Sequence, residues 1–545
     1  MKKTEKRFYL FLLIWLCADF IQAIFTNIHA DEAYYALYGQ FLDWGYYDHP
    51  PMVALLTYLS QHIASGGLSI RLCTVMLHAA TVWLIWKTIL DKKAGDRDVN
   101  EFFLLASSLV MFVLYGFITT PDAPLLFFTA FFFYLYKHYL EKPSLTLALL
   151  IGLDMAGMMY SKYMAVLVIG FVLLSNLKLL KDWRMWMSVG IAALLFVPHV
   201  LWQIHHDFPS LKYHLLLRKD SFSWAYPLEF LPNQLLVFNP VCFILALYFC
   251  WKERKNKNPF VKACVFTCVG FIAFFWLMTI NGHAEPHWTI AITIPMLYLL
   301  YYNTREEIWR KRLLYSVLPL FVLFIIARVW LCTPFVPEFT GMADRQAKME
   351  AIHEKCGHEP VVFYSSFQNP SLYRYFTGEN AAALSSLYTR PTQYDILQLD
   401  KDWQGKEVYV ISSSHFPHAE SLSQYELYYG KIPHFQGTNR IDIDLKNQQI
   451  EGDILTLDVT FHNHYAEVFD FHHPECPVTV MAAYLKGDDY LVEYCENVNE
   501  QNINAHDSIN TQLRFRLHRD LPFAICLSNQ LNLSVNSRVI PAVSQ

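Results

Sequence analysis

The chain has 545 residues, of which 54% are hydrophobic, 16% aromatic and only 17% charged. Ordinary soluble domains carry about 25% charged residues, so this composition argues against a wholly soluble protein, and its abundance of large apolar side chains excludes disordered and collagen-like classes. A net charge of −5 offers no basic surface for nucleic acid, while a mean hydropathy of only +0.21 points to one very apolar region joined to one ordinary soluble region.

The apolar region comes first. Runs near 8–28, 69–90, 102–119, 123–140, 145–160, 163–180, 185–204, 232–251, 260–280, 287–302 and 313–333 each approach the length that crosses a bilayer core. They predict about eleven transmembrane helices within residues 1–333. No small-residue cleavage site follows the first run, which is therefore read as a span and not a signal peptide. Lys and Arg concentrate in MKKTEKR, the 87–101 stretch, KHYLEKPS, LKLLKDWR, WKERKNKNPFVK and NTREEIWRKR. The alternate loops carry Lys162, Lys212, Arg218 and Lys219, with Arg71 and Arg328 at span ends. The positive-inside rule then puts the N-terminus in the cytoplasm and, with an odd span count, everything after Thr333 outside.

Residues 334–435 read as alternating helix and strand. PVVFYSS and KEVYVISSS have the look of short buried strands, and AIHEKCG and PSLYRYF that of helices. From 436 to 545, IDIDL, DILTLDVTF, PVTVMAAYL, TQLRFRL and FAICLSN follow a period of two and predict a small antiparallel sandwich. Cys356, Cys476, Cys495 and Cys526 lie in this outer part, where Cys476–Cys495 or Cys495–Cys526 could pair. The other seven cysteines lie in or beside the spans, as small packing residues. The absence of a CxxC pair speaks against a zinc ribbon.

The loops on the outer face carry the chemistry. The first, HADEAYYALYGQFLDWGYYDHPPMVALLTYLSQHIASGG, has no Lys or Arg but contains Asp31, Glu32, Asp43 and Asp48. Asp31 lies just past the first span and could take a proton from a hydroxyl or hold a divalent cation. The prolines after His49 stiffen the backbone that aims Asp48 and His49 back toward it. TTPDAP places Asp122 at a tight turn, where capping a helix is the plainer role. Lys162 in YSKY is accounted for as well by snorkelling. His214 and Arg218 share one helix face at i and i+4. Glu285, His287 and Trp288 open the tenth span, where a Trp is an ordinary interfacial anchor. Asp19 and Asp154, acids within spans, are expected to bond between helices.

Together these segments resemble the GT-C superfamily of polytopic glycosyltransferases, in the bacterial branch related to protein O-mannosyltransferases and the lipid A aminoarabinose transferase. DEAYYALYGQ, YYDHPPM, TPDAPLLFF, SKYMAVL, the WQIHHDFPS…HLLLR stretch and EPHW occur in family order across residues 1–333. The resemblance implies a polyprenyl-phosphate-linked sugar donor, an acceptor hydroxyl on a lipid, glycan or protein, and a place in the bacterial plasma membrane. It casts Asp31 as the catalytic base with Glu32 its companion, and sets Tyr35, Tyr46, His49, Asp122 and His287 around the donor. Lys162 and Arg218 would face the donor phosphate. Asp48 and His214 match the places where that branch holds a metal ion. Two departures stand out: His49 replaces a Lys before the proline pair, and Tyr34 replaces an Arg, so a different donor head group, or different handling of its phosphate, is expected. A transporter or flippase of lipid-linked glycans is the competing reading. It calls for charges near the bilayer midplane and repeated halves, and no internal repeat is visible in the sequence.

Overall fold

The structure is a computed structural model describing residues 3–90, 94–214, 222–304, 307–340, 343–487, 489–497 and 502–542. It divides into two compact units, Met1–Asp344 and Arg345–Gln545.

The first unit is helical. Its elements are α1 (Lys3–Phe25), α2 (Ala30–Gln40), α3 (Met52–Ile63), α4 (Leu68–Ile89), α5 (Asp96–Ser107), α6 (Val110–Leu114), α7 (Asp122–Glu141) and α8 (Leu145–Ser161). There follow α9 (Ala165–Ser175), α10 (Trp183–His205), α11 (Pro209–Lys212), α12 (Ala225–Phe238), α13 (Pro240–Glu253), α14 (Pro259–Met278), α15 (Thr293–Asn303) and α16 (Glu307–Leu331). Large apolar side chains point outward on α1 (Leu10, Leu13, Ile14), α10 (Leu194, Leu201), α12 (Leu228, Leu236) and α16 (Leu323, Ile326, Val329). A soluble fold would cover such a surface, whereas lipid does so here. The protein is a multi-pass membrane protein.

Five helices among the described residues are long and apolar enough to span by themselves, and a sixth if α12 and α13 count as one bent span. That pair bends by 109° at Asn239, whose φ of +77° ends α12 and whose side chain accepts from the Val241 and Cys242 amides to cap α13. Pro240 enforces the break, because it disfavours a helical conformation in the residue before it. Other expected spans are broken too. The 102–119 run becomes α5, a break at Ser108–Leu109 and the short α6, while the 287–302 run begins as a 3₁₀ turn, Pro286–Ile292, before α15. Length and apolarity therefore do not establish eleven spans.

Inside the bundle, Phe8 and Trp15 of α1 pack against Val82 and Trp86 of α4 and Phe102 and Phe103 of α5. Asp19 bonds to His78 of α4 at 2.8 Å and Arg328 of α16 at 3.0 Å, as an acid within a span requires. Asp154 departs from expectation: it is buried, and neither carboxylate oxygen has a hydrogen-bond partner among the described residues.

The second unit contains a mixed five-stranded sheet of β1 (Val361–Tyr364), β2 (Ala381–Ala383), β3 (Val408–Ser412), β4 (Glu420–Leu422) and β5 (Leu427–Ile432), ordered β2-β1-β3-β5-β4. β1 runs parallel to β2 and β3, with Val361 opposite Ala381 and Tyr409. α17 (Gln346–Cys356) precedes β1, α18 (Gln368–Thr377) connects it to β2, and α19 (Gln393–Leu397) follows β2. Two four-stranded antiparallel sheets come next, ordered β10-β11-β7-β6 and β13-β12-β8-β9. They comprise β6 (Ile441–Glu451), β7 (Ile454–Asn463), β8 (Thr479–Lys486), β9 (Asp489–Tyr494), β10 (Glu496–Asn497), β11 (Ser508–Arg516), β12 (Phe523–Ser528) and β13 (Leu533–Val535). Ile441, Ile443, Leu457 and Phe461 from one sheet share a core with Val480, Tyr484, Ile525 and Leu527 from the other, which makes the expected sandwich.

The expected disulfides do not form. All four cysteines of this unit are free and buried. Cys495 bonds through its amide to Val480 of β8, while Cys526 of β12 pairs with Met481 on the other side of that strand. One whole strand thus separates the two, and two strand spacings amount to roughly 9–10 Å, beyond disulfide reach.

Candidate active site

The first long loop folds into two helices that carry its acids. His29 caps α2: its Nδ1 accepts from the Asp31 amide at 3.2 Å, and its own amide donates to Glu32 Oε2 at 2.9 Å. This reciprocal arrangement fixes both acids in the first turn, where the helix dipole favours negative charge. Adjacent helical residues diverge by about 100°, so Asp31 and Glu32 face different surroundings. Asp31 turns outward, its side chain 36% exposed and its Oδ2 3.9 Å from His29 Nδ1.

Glu32 turns inward and anchors α2. It is fully buried, and its oxygens accept from Arg71 Nε (2.8 Å), an Arg71 terminal nitrogen (2.5 Å), the His29 amide and the Thr119 amide (2.8 Å). A carboxylate has about four acceptor sites, so none remains for a substrate. Arg71 gives its remaining donors to the carbonyls of Ala23, Thr26 and Asn27. Arg71, read from the sequence as a span-end residue, is the group sequence reasoning most clearly missed; an Arg at the edge of an apolar run needs a buried partner, and that was the available signal.

Residues 41–51 form a tight loop. Tyr46 is also structural. Its hydroxyl donates to the Tyr38 and Phe41 carbonyls and accepts from the Asp43 amide, and its ring stacks on Tyr38 at 4.1 Å. The end of α10 and the start of α11 clamp this loop. Trp202 Nε1 donates to Asp43 Oδ2 at 2.7 Å, His199 bonds the Trp44 carbonyl at 2.7 Å, and Ser210 donates to the Tyr46 carbonyl at 2.9 Å. The WQIHHDFPS stretch therefore shapes the loop that carries Asp48 and His49. Gly45 runs directly beneath Trp202, and a Cβ there would lie 2.4 Å from the indole.

Asp122 and Lys162 come together. Lys162 Nζ sits 2.8 Å from both Asp122 oxygens, and both side chains are buried. Neither plainer role holds: Asp122 caps no helix through its side chain, and Lys162 points inward instead of snorkelling. The next residue, Tyr163, bonds His199 at 2.9 Å and receives Gln203 at 3.1 Å, so the SKY motif ties α8 to both α7 and α10.

Tyr35 lies at the centre. Burial pushes its hydroxyl well above the ordinary tyrosine range, and the nearby carboxylates of Asp31, Asp48 and Asp122 push the same way. Its ring lies 5.8 Å from that of His49. Tyr115, after α6, feels Asp122, Asp31 and Glu285, and its ring meets that of His287 at 6.3 Å. Four carboxylates, His49 and His287 thus gather around two tyrosines. His214 Nε2 is 3.3 Å from the Asp48 carbonyl, and Tyr38 donates to Asp48 Oδ2 at 3.5 Å. The His214 imidazole thus meets the Asp48 main chain, while the Asp48 carboxylate faces Tyr38, and among the described residues the two belong to no group of three metal-ligating side chains. Arg218 lies outside the described residues.

The fold of most of the chain has a solved counterpart. ArnT from Cupriavidus metallidurans in the apo state superimposes with a TM-score of 0.58 at 12% identity, covering 78% of this chain and 97% of ArnT. The structure of that protein bound to undecaprenyl phosphate gives 0.56 at 13%. Residues 48–202 match the dolichyl-phosphate-mannose-protein mannosyltransferase family model, a segment that holds Asp48, His49, Asp122 and Lys162. The lipid A galacturonosyltransferase RgtD of Rhizobium johnstonii is 25% identical over 296 residues, covering 51% of this chain and 61% of RgtD. The chain is similar to the GT-C glycosyltransferases in its fold and, over residues 48–202, in its sequence. The lipopolysaccharide core galacturonosyltransferase RgtA of the same organism is 24% identical over 189 residues, covering 32% of this chain and 37% of RgtA. The chain aligns with less than two thirds of the length of either curated relative.

Proposed function

We propose that the protein transfers a sugar from a polyprenyl-phosphate donor to an acceptor hydroxyl at the membrane surface, with Asp31 as general base. The carrying observation is the contrast between the two neighbouring acids: Glu32 is saturated by Arg71 and backbone amides, while Asp31 is presented outward and, with Asp48 and Asp122, acts on the Tyr35 hydroxyl. In the proposed reaction the acceptor oxygen bonds to the anomeric carbon as its proton passes to Asp31. The bond from that carbon to the phosphate oxygen breaks, and the electron pair leaves with the polyprenyl phosphate. A single displacement of this kind inverts the anomeric centre. Lys162, held by Asp122, supplies positive charge toward the leaving phosphate, and Arg218 is assigned to the same task from the sequence. Asp48 and His214 would hold a divalent cation, which when bound would neutralise phosphate charge.

The named relatives support a lipopolysaccharide acceptor and a uronic acid or related sugar, and the undecaprenyl phosphate bound to ArnT supports a polyprenyl carrier. The same reading places the protein in the bacterial inner membrane with its N-terminus cytoplasmic and residues 345–545 on the periplasmic side. The test incubates purified protein with a panel of polyprenyl-phosphate sugars and lipid A or core acceptors. Release of polyprenyl phosphate that depends on both acceptor and Asp31 supports the reading, and its absence across the panel counts against it.

A further inference from the structure

We propose that His353, His358 and Glu379 in the second unit form a binding site for a divalent metal ion of the zinc class. Their ligand atoms all lie within 4.8 Å of one another, in the one such three-residue group among the described residues. Two turns bring them together. α17 carries His353 in its last turn and ends at Gly357, whose φ of +60° reverses the chain and delivers His358. α18 ends at Gly378, with φ +76°, and delivers Glu379. A left-handed residue after each helix is a position that glycine fills without steric cost. The two helices precede β1 and β2, so the three side chains meet where the chain enters two paired parallel strands.

A bare ion pair at a surface would account for His358 and Glu379, which are 2.6 Å apart, and would be worth little. It would not account for the third donor. His353 comes from the body of α17, and its ring stands 5.7 Å from that of His358. Its Nδ1 lies 3.5 Å from the Tyr373 hydroxyl of α18. Such a contact from outside the ligand set orients a metal-binding imidazole through one nitrogen and leaves the other for the ion. Tetrahedral zinc with bonds of about 2.0–2.1 Å sets its ligands roughly 3.4 Å apart. The present separations, from 2.6 Å up to 4.8 Å, bracket that value. Two imidazoles and one carboxylate select zinc, nickel or copper over magnesium and calcium. The His358 side chain is 88% exposed, so the ion has a path in and keeps an open position for water. Its ion would fasten the end of α17 to the end of α18.

The test uses full-length protein in detergent micelles, with any purification tag removed and metal stripped by chelator. Zn²⁺ is titrated in competition with a chromophoric chelator. One zinc bound at micromolar or lower concentration, weakened at least tenfold in both His358→Ala and Glu379→Gln and not displaced by millimolar Mg²⁺, is the expected result. His358 is so exposed that its replacement leaves the fold intact, which circular dichroism checks. Equal zinc affinity and stoichiometry in the wild type and the two variants, or no binding above micromolar chelator competition, overturns the site.

Discussion

Replacing Arg71 with Met removes two bonds from the Glu32 carboxylate and leaves the carbonyls of Ala23, Thr26 and Asn27 without their donors. Breaking a buried pair from one side costs about 3–5 kcal/mol, because the remaining charge stays buried and unpaired. Glu32→Gln keeps a side chain able to cap the helix but turns an amide N–H toward the donors of Arg71 and His29, at a cost of about 1–3 kcal/mol per unsatisfied group. Removing both partners, as in Glu32→Leu with Arg71→Met, should cost clearly less than the sum of Arg71→Met and Glu32→Leu alone. The coupling expected is on the order of 2 kcal/mol or more. Unfolding in mixed micelles of rising SDS fraction measures each variant, and a transfer assay measures function beside it. The anchor account predicts that Glu32→Gln loses stability and, through displacement of α2, activity together. Full stability with abolished transfer would show that Glu32 contacts substrate after all, and additive single effects below 1 kcal/mol would refute the anchor.

Lys162→Met should destabilise the protein by about 3–5 kcal/mol, since Asp122 is left charged and buried; adding Asp122→Asn should restore much of that in the same unfolding assay while transfer stays lost. Gly45→Ala drives a methyl into Trp202 and should lower stability by about 1–3 kcal/mol, with increased protease cleavage in the 41–51 loop as the local readout. In the second unit, burial raises the Asp400 carboxyl to about 6. Below pH 4 both folded and unfolded chains hold this proton; as pH rises toward 6 the unfolded chain releases it first, so stability is lost across that window. Asp400→Asn should therefore stabilise the unit by about 3 kcal/mol at pH 7 and by almost nothing below pH 4, which hydrogen exchange of the sandwich amides at the two pH values checks.

Much of the architecture was legible because it is written in periodicity. IDIDL alternates in the sequence and alternates between buried and exposed in β6, and VVFY is apolar throughout because β1 sits between β2 and β3. The three alanines of β2 were not legible as a strand, since alanine has little strand preference and pairing with β1 decides the matter. Hydropathy located the apolar runs but not their breaks; the Asn239-Pro240 pair marked one, and a count of apolar residues passes over it. The polar residues of the outer loops were legible as a set, but their roles were not. Asp31, Asp48, Asp122, Lys162, His49, His214 and His287 were all in view, yet sequence alone cannot tell which of two adjacent acids faces inward. The spacing of His29 and Glu32 resembles a capping box, and with a lone Arg at the head of the next apolar run it held that information.

The central claim is that Asp31 takes the acceptor's proton. Its most direct test is the single-turnover rate of sugar transfer by Asp31→Asn with an accepted polyprenyl-phosphate donor, alongside donor binding and the thermal melting of the same preparation. The account predicts a rate lower by about 10²–10⁴-fold, with donor affinity and melting unchanged. A rate within a few-fold of the wild type would contradict it.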